Sequence, residues 1–352
     1  MAATGPASVG FLTWSSAVPT GGNVYDDRLS AALHDAGVDV RRHRVSGVWP
    51  TESEQHRAEV AAILPTQPLW LVDSIIACAV PDLVRQAADR GPSVAVVLHS
   101  LLSTDPDLTD DERREYERLE SAALRAAGMV ITTSRWASDD LRRRYGIAHT
   151  AVAPPGTDPA PVITGSVTGD RLLCLGSLTP TKNQLDLVTA LSMITDRTWS
   201  ARLVGGDDVR PDYTARLHRA ITRHGLDERV MITGPRTGAD LEAVWADTDL
   251  LVITSRSETY GMVVAEALAH GIPAIVSAGT GAVEALGDVD GVAPGVAVAV
   301  GDPAALAHTL HRWLTDAPLR EAWRATARRR RPGLSSWSEC AERVLTALRS
   351  SR

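Results

Sequence analysis

Four residues of this 352-residue chain have the type and setting to do chemistry: Lys182, Glu258, Glu266 and His99. Lys182, in LGSLTPTKNQLDLV, is the only lysine, while the other 35 of the 36 basic residues are arginine. An ammonium is a compact point charge and a guanidinium a planar fork, so the one retained lysine fits beside a phosphate. It stands in a turn between an apolar run and a helical pattern. Asn183, beside it, is one of only two asparagines; the other is Asn23. Glu258 and Glu266 lie eight positions apart in ITSRSETYGMVVAEALAHGIPAIVS. The first falls in a loop after an apolar strand, the second one turn into the helix that follows. The N–H groups from Thr259 to Val263 lie at that helix start, where backbone donors lack intrahelical partners and suit an anion. Carboxylates can also accept from a vicinal diol. A sugar diphosphate asks for this set: donors and a cation for its phosphates, carboxylates for its hydroxyls. The stretch MVVAEALAHG is almost wholly apolar and small, so Glu266 is expected on a buried helix, where a carboxylate without a partner would cost several kcal/mol. His99 ends the apolar run SVAVVLH, and Gly21 and Gly22 of VPTGGNVYDDR allow close backbone approach before a helix starts near Asn23.

Strands that end in such turns must come from parallel sheets. Short β-rich runs alternate with helical patterns: SVGFLTW, VDVRRHRV, PLWLVDSI, SVAVVLH, MVITTS and TAVAPPG in the first half, with helices such as DDERREYERLESAALRAAG and RWASDDLRRRYG between them. The alternation restarts at RLLCLGSL and continues through WSARLVGG, RVMITGP, DLLVITS and PAIVSAG, then helices at DPAALAHTLHRWLTD, 317–330 and SWSECAERVLTALRSS. This is the βαβ signature of parallel sheets covered on both faces. The Pro-, Gly- and Thr-rich stretch 154–171 reads as an interdomain linker. The expected fold class is therefore α/β, with two Rossmann-like domains whose sheets face across a cleft. The boundaries are 1–157 for the first domain, 158–336 for the second, and 337–352 for a closing helix that returns to the first. Ligands bind outside the carboxyl ends of such strands.

Composition narrows the functions. A formal charge of −7 argues against a nucleic-acid surface, and the runs RRHR, LRRRYG and RRRRP read mostly as solvated helix or strand ends. No apolar run approaches the ~20 residues of a membrane span. The N-terminus lacks a leader pattern, and Cys78, Cys174 and Cys340 are isolated, as in a reduced cytoplasmic protein. GxGxxG occurs at no strand-to-helix turn, which argues against a nicotinamide or flavin enzyme. The DPD at 105–107 reads as chance, and no cofactor or metal is expected. Trp14 suits an acceptor pocket or the core.

The stretch SETYGMVVAEALAHGIPAIVSAGTGAVEAL resembles the signature of glycosyltransferase family 4, retaining enzymes of GT-B fold. GGN, VLH, APPGTD, GSLTPTK and WSECAERVLTAL extend the likeness over nearly the whole chain. The resemblance implies that Glu258 contacts the donor sugar hydroxyls, Glu266 the ribose hydroxyls and Lys182 the departing diphosphate. It implies that Gly21, Gly22 and Asn23 form the glycine loop, with Gly22 approaching the diphosphate, and that His99 touches the sugar near its reacting carbon. Amides at Tyr260, Gly261, Met262 and Val263 would cap phosphate and sugar oxygens, and Arg236 would lie near the base. The family usually carries an arginine where this chain has Ser177, so one of two expected cations is missing, and Lys182, Arg256 or Arg236 must cover for it. The implied activity is transfer of a hexosyl or N-acetylhexosaminyl group from a nucleotide-sugar donor, a UDP-sugar by family frequency, to a small-molecule acceptor. The near absence of lysine suggests a GC-rich bacterium and specialised metabolism. A non-catalytic sugar-nucleotide-binding partner protein and a sugar-nucleotide epimerase are the alternatives.

Overall fold

The computed structural model describes residues 6, 8–14, 20–47, 49–50 and 53–350. The extreme N-terminus, read above for a leader, and Val18 and Pro19 of the glycine turn lie outside them. The chain divides into two compact units, Met1–Gly156 with Ser335–Arg352, and Thr157–Leu334.

Unit 1 runs β1 (Ser8–Trp14), α1 (Gly21–Asp35), β2 (Asp39–Val45), α2 (Glu54–Ile63), β3 (Leu69–Asp73), α3 (Ser74–Ala79), α4 (Pro81–Arg90), β4 (Ser93–Leu98), α5 (Asp110–Ala126), β5 (Met129–Thr132), α6 (Arg135–Tyr145) and β6 (Thr150–Val152). Unit 2 runs β7 (Arg171–Leu175), α7 (Gln184–Ser192), β8 (Ser200–Val204), α8 (Pro211–Arg223), β9 (Val230–Ile232), α9 (Gly238–Ala246), β10 (Leu250–Val252), α10 (Met262–Ala269), β11 (Ala274–Ser277), α11 (Ala282–Leu286), β12 (Gly295–Val298), α12 (Pro303–Thr315) and α13 (Ala317–Arg330). The last helix, α14 (Trp337–Ser350), belongs to unit 1 and packs on α1, β5 and β6.

Local chemistry explains the ends of these elements. Thr20 caps α1 and Thr109 caps α5 through reciprocal capping boxes with Asn23 and Glu112. Ser134 starts α6, and left-handed Gly146 ends it. The strands β3 and β10 are buried along their whole length, as expected of strands covered on both faces. In unit 1 the core gathers around Trp70, whose indole donates to the Leu64 carbonyl at 2.7 Å. Gly10 leaves room for that ring, because a Cβ there would lie 2.5 Å from it.

Both sheets have six strands, with every pairing parallel. Their orders are β2-β1-β3-β4-β5-β6 and β12-β11-β10-β7-β8-β9. The strand order therefore reverses between β1 and β3 in unit 1, and between β7 and β10 in unit 2. Such reversals open a crevice at the carboxyl ends of the two strands, where open α/β sheets bind ligands.

Two sequence readings need correction. Residues 157–170 are no free linker: they are held to unit 2 through their backbone. Ser166 N–H and Arg171 N–H donate to the buried Asp249 carboxylate, and Ile163 N–H donates to the His270 carbonyl. Arg324 donates to the Ser166 carbonyl and Arg331 to those of Ala160 and Ala269. The RRRRP run is thus partly an anchor for this segment and not only a solvated end. The edge strand β12 was missed because it is only four residues long and opens in Pro294-Gly295, a turn signal.

Candidate functional site

In unit 2 the reversal point lies between the loops after β7 and β10, and these two loops are tied together. Arg256 N–H donates to the Thr181 carbonyl at 2.8 Å. Thr254 Oγ1 donates to the carbonyls of Lys182 and Asn183 at 3.1 and 3.0 Å. Asn183 sits between them in the left-handed region, φ 56°, and starts α7. Its amide donates to Asp186 at 2.6 Å and to the Thr254 carbonyl at 3.4 Å, and its oxygen accepts from Arg256 at 3.4 Å. The short polar side chain of asparagine tolerates this backbone better than most.

The tie brings Lys182 onto Glu258, 76 residues away in sequence, with Nζ 2.5 Å from Oε1. Ser255 Oγ donates to the same carboxylate oxygen at 2.7 Å. Gly281 N–H holds the Glu258 carbonyl at 2.7 Å, and a Cβ at Gly281 would lie 2.2 Å from the Thr259 carbonyl. Only glycine fits there. The Lys182 stem crosses Gly176, and Gly205 approaches Gly176 so closely that a Cβ would lie 2.1 Å from its carbonyl oxygen. The lysine and the first glutamate, which the resemblance sends to different parts of a ligand, are therefore paired in the free chain.

Half-buried Glu266 projects from α10 one turn in, while Val264, Ala265, Ala267 and Leu268 are buried. Its carboxylate has no hydrogen-bond or ion-pair partner among the described residues. Burial first, then Asp158 and Glu242, push its pKa up to about 7. Left-handed Gly261 caps α10, with buried Tyr260 beside it and Met262 and Val263 half-buried in the opening turn. Ser177 follows β7, its carbonyl accepting from Gln184 at 3.0 Å. Arg236 stands exposed in the loop between β9 and α9, and Arg256 is exposed beside Asn183.

In unit 1 the reversal point gathers residues that sequence reading missed. His99 Nε2 lies 2.8 Å from Asp26 Oδ1 and 3.9 Å from Asp73 Oδ2. The Tyr25 ring meets the imidazole edge-on, centroids 5.2 Å apart. Gly22 lets the ring lie against α1, since a Cβ there would stand 3.1 Å from it. Ser74 Oγ accepts from His99 N–H at 3.2 Å, and Asp73 caps α3 through Ile75 N–H at 2.7 Å. Burial works against charge on His99, but Asp26 and then Asp73 outweigh it and hold its pKa at about 9. Burial raises the Asp73 carboxyl to about 7, against the pull of His99. Asp26, Asp73 and His99 each place a ligand atom within 4.8 Å of the others. That spacing alone would suit a metal ion; the direct His99–Asp26 contact suits a proton. Asp26 was legible as an acid on the apolar stripe of Leu29 and Leu33, and Asp73 as an acid ending an all-buried strand.

Gly21 is exposed at the start of α1. The Asn23 side chain is spent on its own turn: its oxygen accepts from Thr20 N–H at 3.2 Å and its amide donates to the Trp14 carbonyl at 3.1 Å. Trp14 packs partly buried against the unit 1 core. The DPD acids sit in a loop pinned by Arg113, which donates to the Ser103, Asp105 and Leu108 carbonyls. All three cysteines are free and buried. No helix among the described residues is long and apolar enough to cross a membrane.

Two parallel six-stranded sheets, each with its chemistry at the reversal of strand order, define the GT-B fold of glycosyltransferases. Solved structures share it over almost the whole chain. Sucrose-phosphate synthase from Thermosynechococcus elongatus superposes with a TM-score of 0.78 at 22% identity, covering 97% of this chain and 98% of that one. The Anabaena protein HepE in complex with UDP-glucose gives 0.77 at 22% identity, covering 97% and 99%. Residues 165–330 match the family described as glycosyl transferases group 1. Among curated relatives, mannosylfructose-phosphate synthase of Agrobacterium fabrum is 30% identical over 202 residues, 50% of this chain and 44% of that one. The chain spans between 25% and 59% of the length of such relatives.

Proposed function

We propose that the protein is a retaining glycosyltransferase that moves a sugar from a nucleotide diphosphate, a UDP-sugar by preference, to a small soluble acceptor. The observation that carries this reading is the meeting of Lys182 and Glu258 at the unit 2 reversal point, followed in α10 by Glu266, which has no partner among the described residues. Glu266 takes the ribose diol, Glu258 the sugar hydroxyls and Lys182 the diphosphate, with the first-turn amides of α10 as further donors. The complex of HepE with UDP-glucose supports a nucleotide-sugar donor. The names of the sucrose-phosphate and mannosylfructose-phosphate synthases support a small sugar, free or phosphorylated, as acceptor.

In the reaction the anomeric C–O bond breaks and its electron pair passes to the diphosphate. The acceptor oxygen bonds to the anomeric carbon on the face the diphosphate leaves, and its proton goes to the leaving phosphate oxygen. No protein nucleophile is needed, in contrast to the paired carboxylates of retaining glycosidases. Charge grows on the leaving group, so a fixed cation and N–H donors aimed there lower the barrier, each such donor contributing ~10²–10³ in rate. This mechanism requires no metal, since Lys182 and the helix start supply the positive potential.

A calorimetric and thermal-shift panel of UDP-, GDP-, ADP- and dTDP-sugars tests the reading. One nucleotide series is expected to bind. Glu266→Ala should abolish that binding, whereas Glu258→Ala and Lys182→Ala should keep it and lose transfer. Binding without transfer or donor hydrolysis across a broad acceptor panel would instead make the protein a sugar-nucleotide sensor.

A further inference from the structure

The cluster at the unit 1 reversal point contains more acid than an ordinary histidine–aspartate pair. Asp26 and Asp73 are each 1% exposed, and an oxygen of each, Asp26 Oδ2 and Asp73 Oδ2, is buried without a hydrogen-bond partner among the described residues. Two naked carboxylates sharing so small a volume repel one another, and an orphaned buried oxygen costs free energy. A proton between the two carboxylates removes both problems, because the protonated Asp73 then donates to Asp26. Asp26 in turn accepts from His99 Nε2 at 2.8 Å. With one proton shared by the acids and a second on the ring, the buried cluster is neutral: one carboxylate, one carboxylic acid, one imidazolium.

We propose that Asp26 and Asp73 are positioning residues that hold His99 as an imidazolium, so that it serves the transfer reaction as a fixed hydrogen-bond donor and never as its base. This rests on the glycosyltransferase reading for its consequence but not for its geometry. The ring is closely flanked: a Cβ at Gly22 would stand 3.1 Å from it, the Tyr25 ring meets it edge-on, and Ser74 holds the His99 backbone. The groups acting on the cluster come from every packed element. They are Asp26 and Tyr25 on α1, Asp73 at the end of β3, Cys78 on α3, Glu120 on α5 and Cys340 on α14 behind Tyr25. Burial keeps the Tyr25 phenol and both thiols neutral, since it raises their pKa values well above neutrality. Glu120 is occupied by Ser103 and Tyr145. That leaves Asp26 and Asp73 to set the ring's charge. A ring kept protonated cannot take the acceptor's proton, which on the proposed reaction leaves with the diphosphate. His99 is then excluded as the base of a base-assisted inversion.

Nitrogen and carbon NMR of the histidine rings tests this on the full chain, with His99→Gln to assign the resonance. His99 is expected to carry protons on both nitrogens at pH 7.5. Asp26→Asn should lower its titration midpoint by at least ~2 pH units and Asp73→Asn by less. If the Asp26 variant does not fold, Asp73→Asn alone decides. In the active enzyme, turnover should fall as pH rises past the His99 midpoint. In Asp73→Asn that fall should move to lower pH, while nucleotide affinity is kept. A neutral His99 at pH 7.5 in the unaltered protein, a midpoint unmoved in both variants, or stoichiometric Zn²⁺ binding lost in Asp73→Asn would each overturn the proposal. The ring titration is read without substrate. A protein that transfers no sugar but shows an imidazolium would sink the transferase reading and leave this one standing.

Discussion

Replacing Glu266 by glutamine should make the free protein more stable and a poorer nucleotide binder. Burial, then Asp158 and Glu242, raise this carboxyl from an ordinary 4.5 to about 7. At ~1.4 kcal/mol per pH unit, ionising it in place costs ~3 kcal/mol, or ~1–3 once neighbouring acids relax. The sign follows from linkage. The folded state binds the proton more tightly than the unfolded chain, so stability falls as pH rises from 4.5 to about 7. Above that window the whole penalty is present; below it there is none. Glu266→Gln removes the penalty, with no gain at pH 4.5 and ~1–3 kcal/mol at pH 8. For a unit of this size that is a rise of ~5 °C in the unit 2 transition. Nucleotide binding should show the inverse pattern. A ribose diol donates to the ionised carboxylate, so affinity in the unaltered protein should climb ~10-fold per pH unit below 7 and level off above it. In Glu266→Gln the climb disappears and binding is weak throughout. Calorimetric melts and titrations with the nucleoside diphosphate at pH 5, 6, 7 and 8 measure both. Equal destabilisation at pH 5 and pH 8 would refute the buried-charge argument, and an unchanged pH slope of binding would refute the diol contact.

Lys182→Ala should lower kcat by ~10²–10³ and leave nucleoside diphosphate affinity little changed, as read by steady-state kinetics and calorimetry. At Asn183, φ 56°, the alanine variant should be less stable than the glycine variant by ~1 kcal/mol, and both should lose turnover by loosening Lys182. Equal denaturation midpoints for the two variants would sink the left-handed argument. Asp249→Ala should destabilise unit 2 by ~3–5 kcal/mol, because it strips partners from Ser166, Arg171 and buried Arg324 at once. Chemical denaturation checks this, and a loss under 1 kcal/mol would show that residues 157–170 are held by something else.

The parallel α/β architecture was legible because the strands are continuous apolar runs and the helices carry their own start and stop residues. What could not be read was adjacency. Nothing in the spacing of Lys182 and Glu258 says that β7 lies beside β10, and that neighbourhood makes a pair of two residues 76 apart. The same blindness hid Asp26 and Asp73, which meet only through the reversal between β1 and β3. The stretch 157–170 misled for another reason. Its Pro, Gly and Thr report local turns, while its fixation comes from Asp249 and the arginines of α13, whose partners are backbone carbonyls without sequence identity. Of the two asparagines, Asn23 proved to be a capping residue and Asn183 a splice between loops, both common uses of a short amide at a helix start.

The way charges are paired in the free chain also divides labour between binding and turnover. Lys182 and Glu258 already satisfy one another, so a ligand that enters between them exchanges one ion pair for another and gains little in the ground state. Glu266 has no partner among the described residues to give up. A diol that reaches it satisfies a carboxylate the fold has left uncompensated, and the whole of that contact appears as affinity. On the proposed reaction, affinity should therefore come from the nucleoside end of the donor, while the Lys182–Glu258 pair contributes most when the sugar–phosphate bond is breaking and the diphosphate's charge is growing. Interactions that strengthen only in the transition state raise kcat, whereas those made equally in both states do not. An ion pair split by the substrate is a means to that end: its own attraction offsets the ground-state gain and is outweighed only when the leaving group becomes the stronger anion.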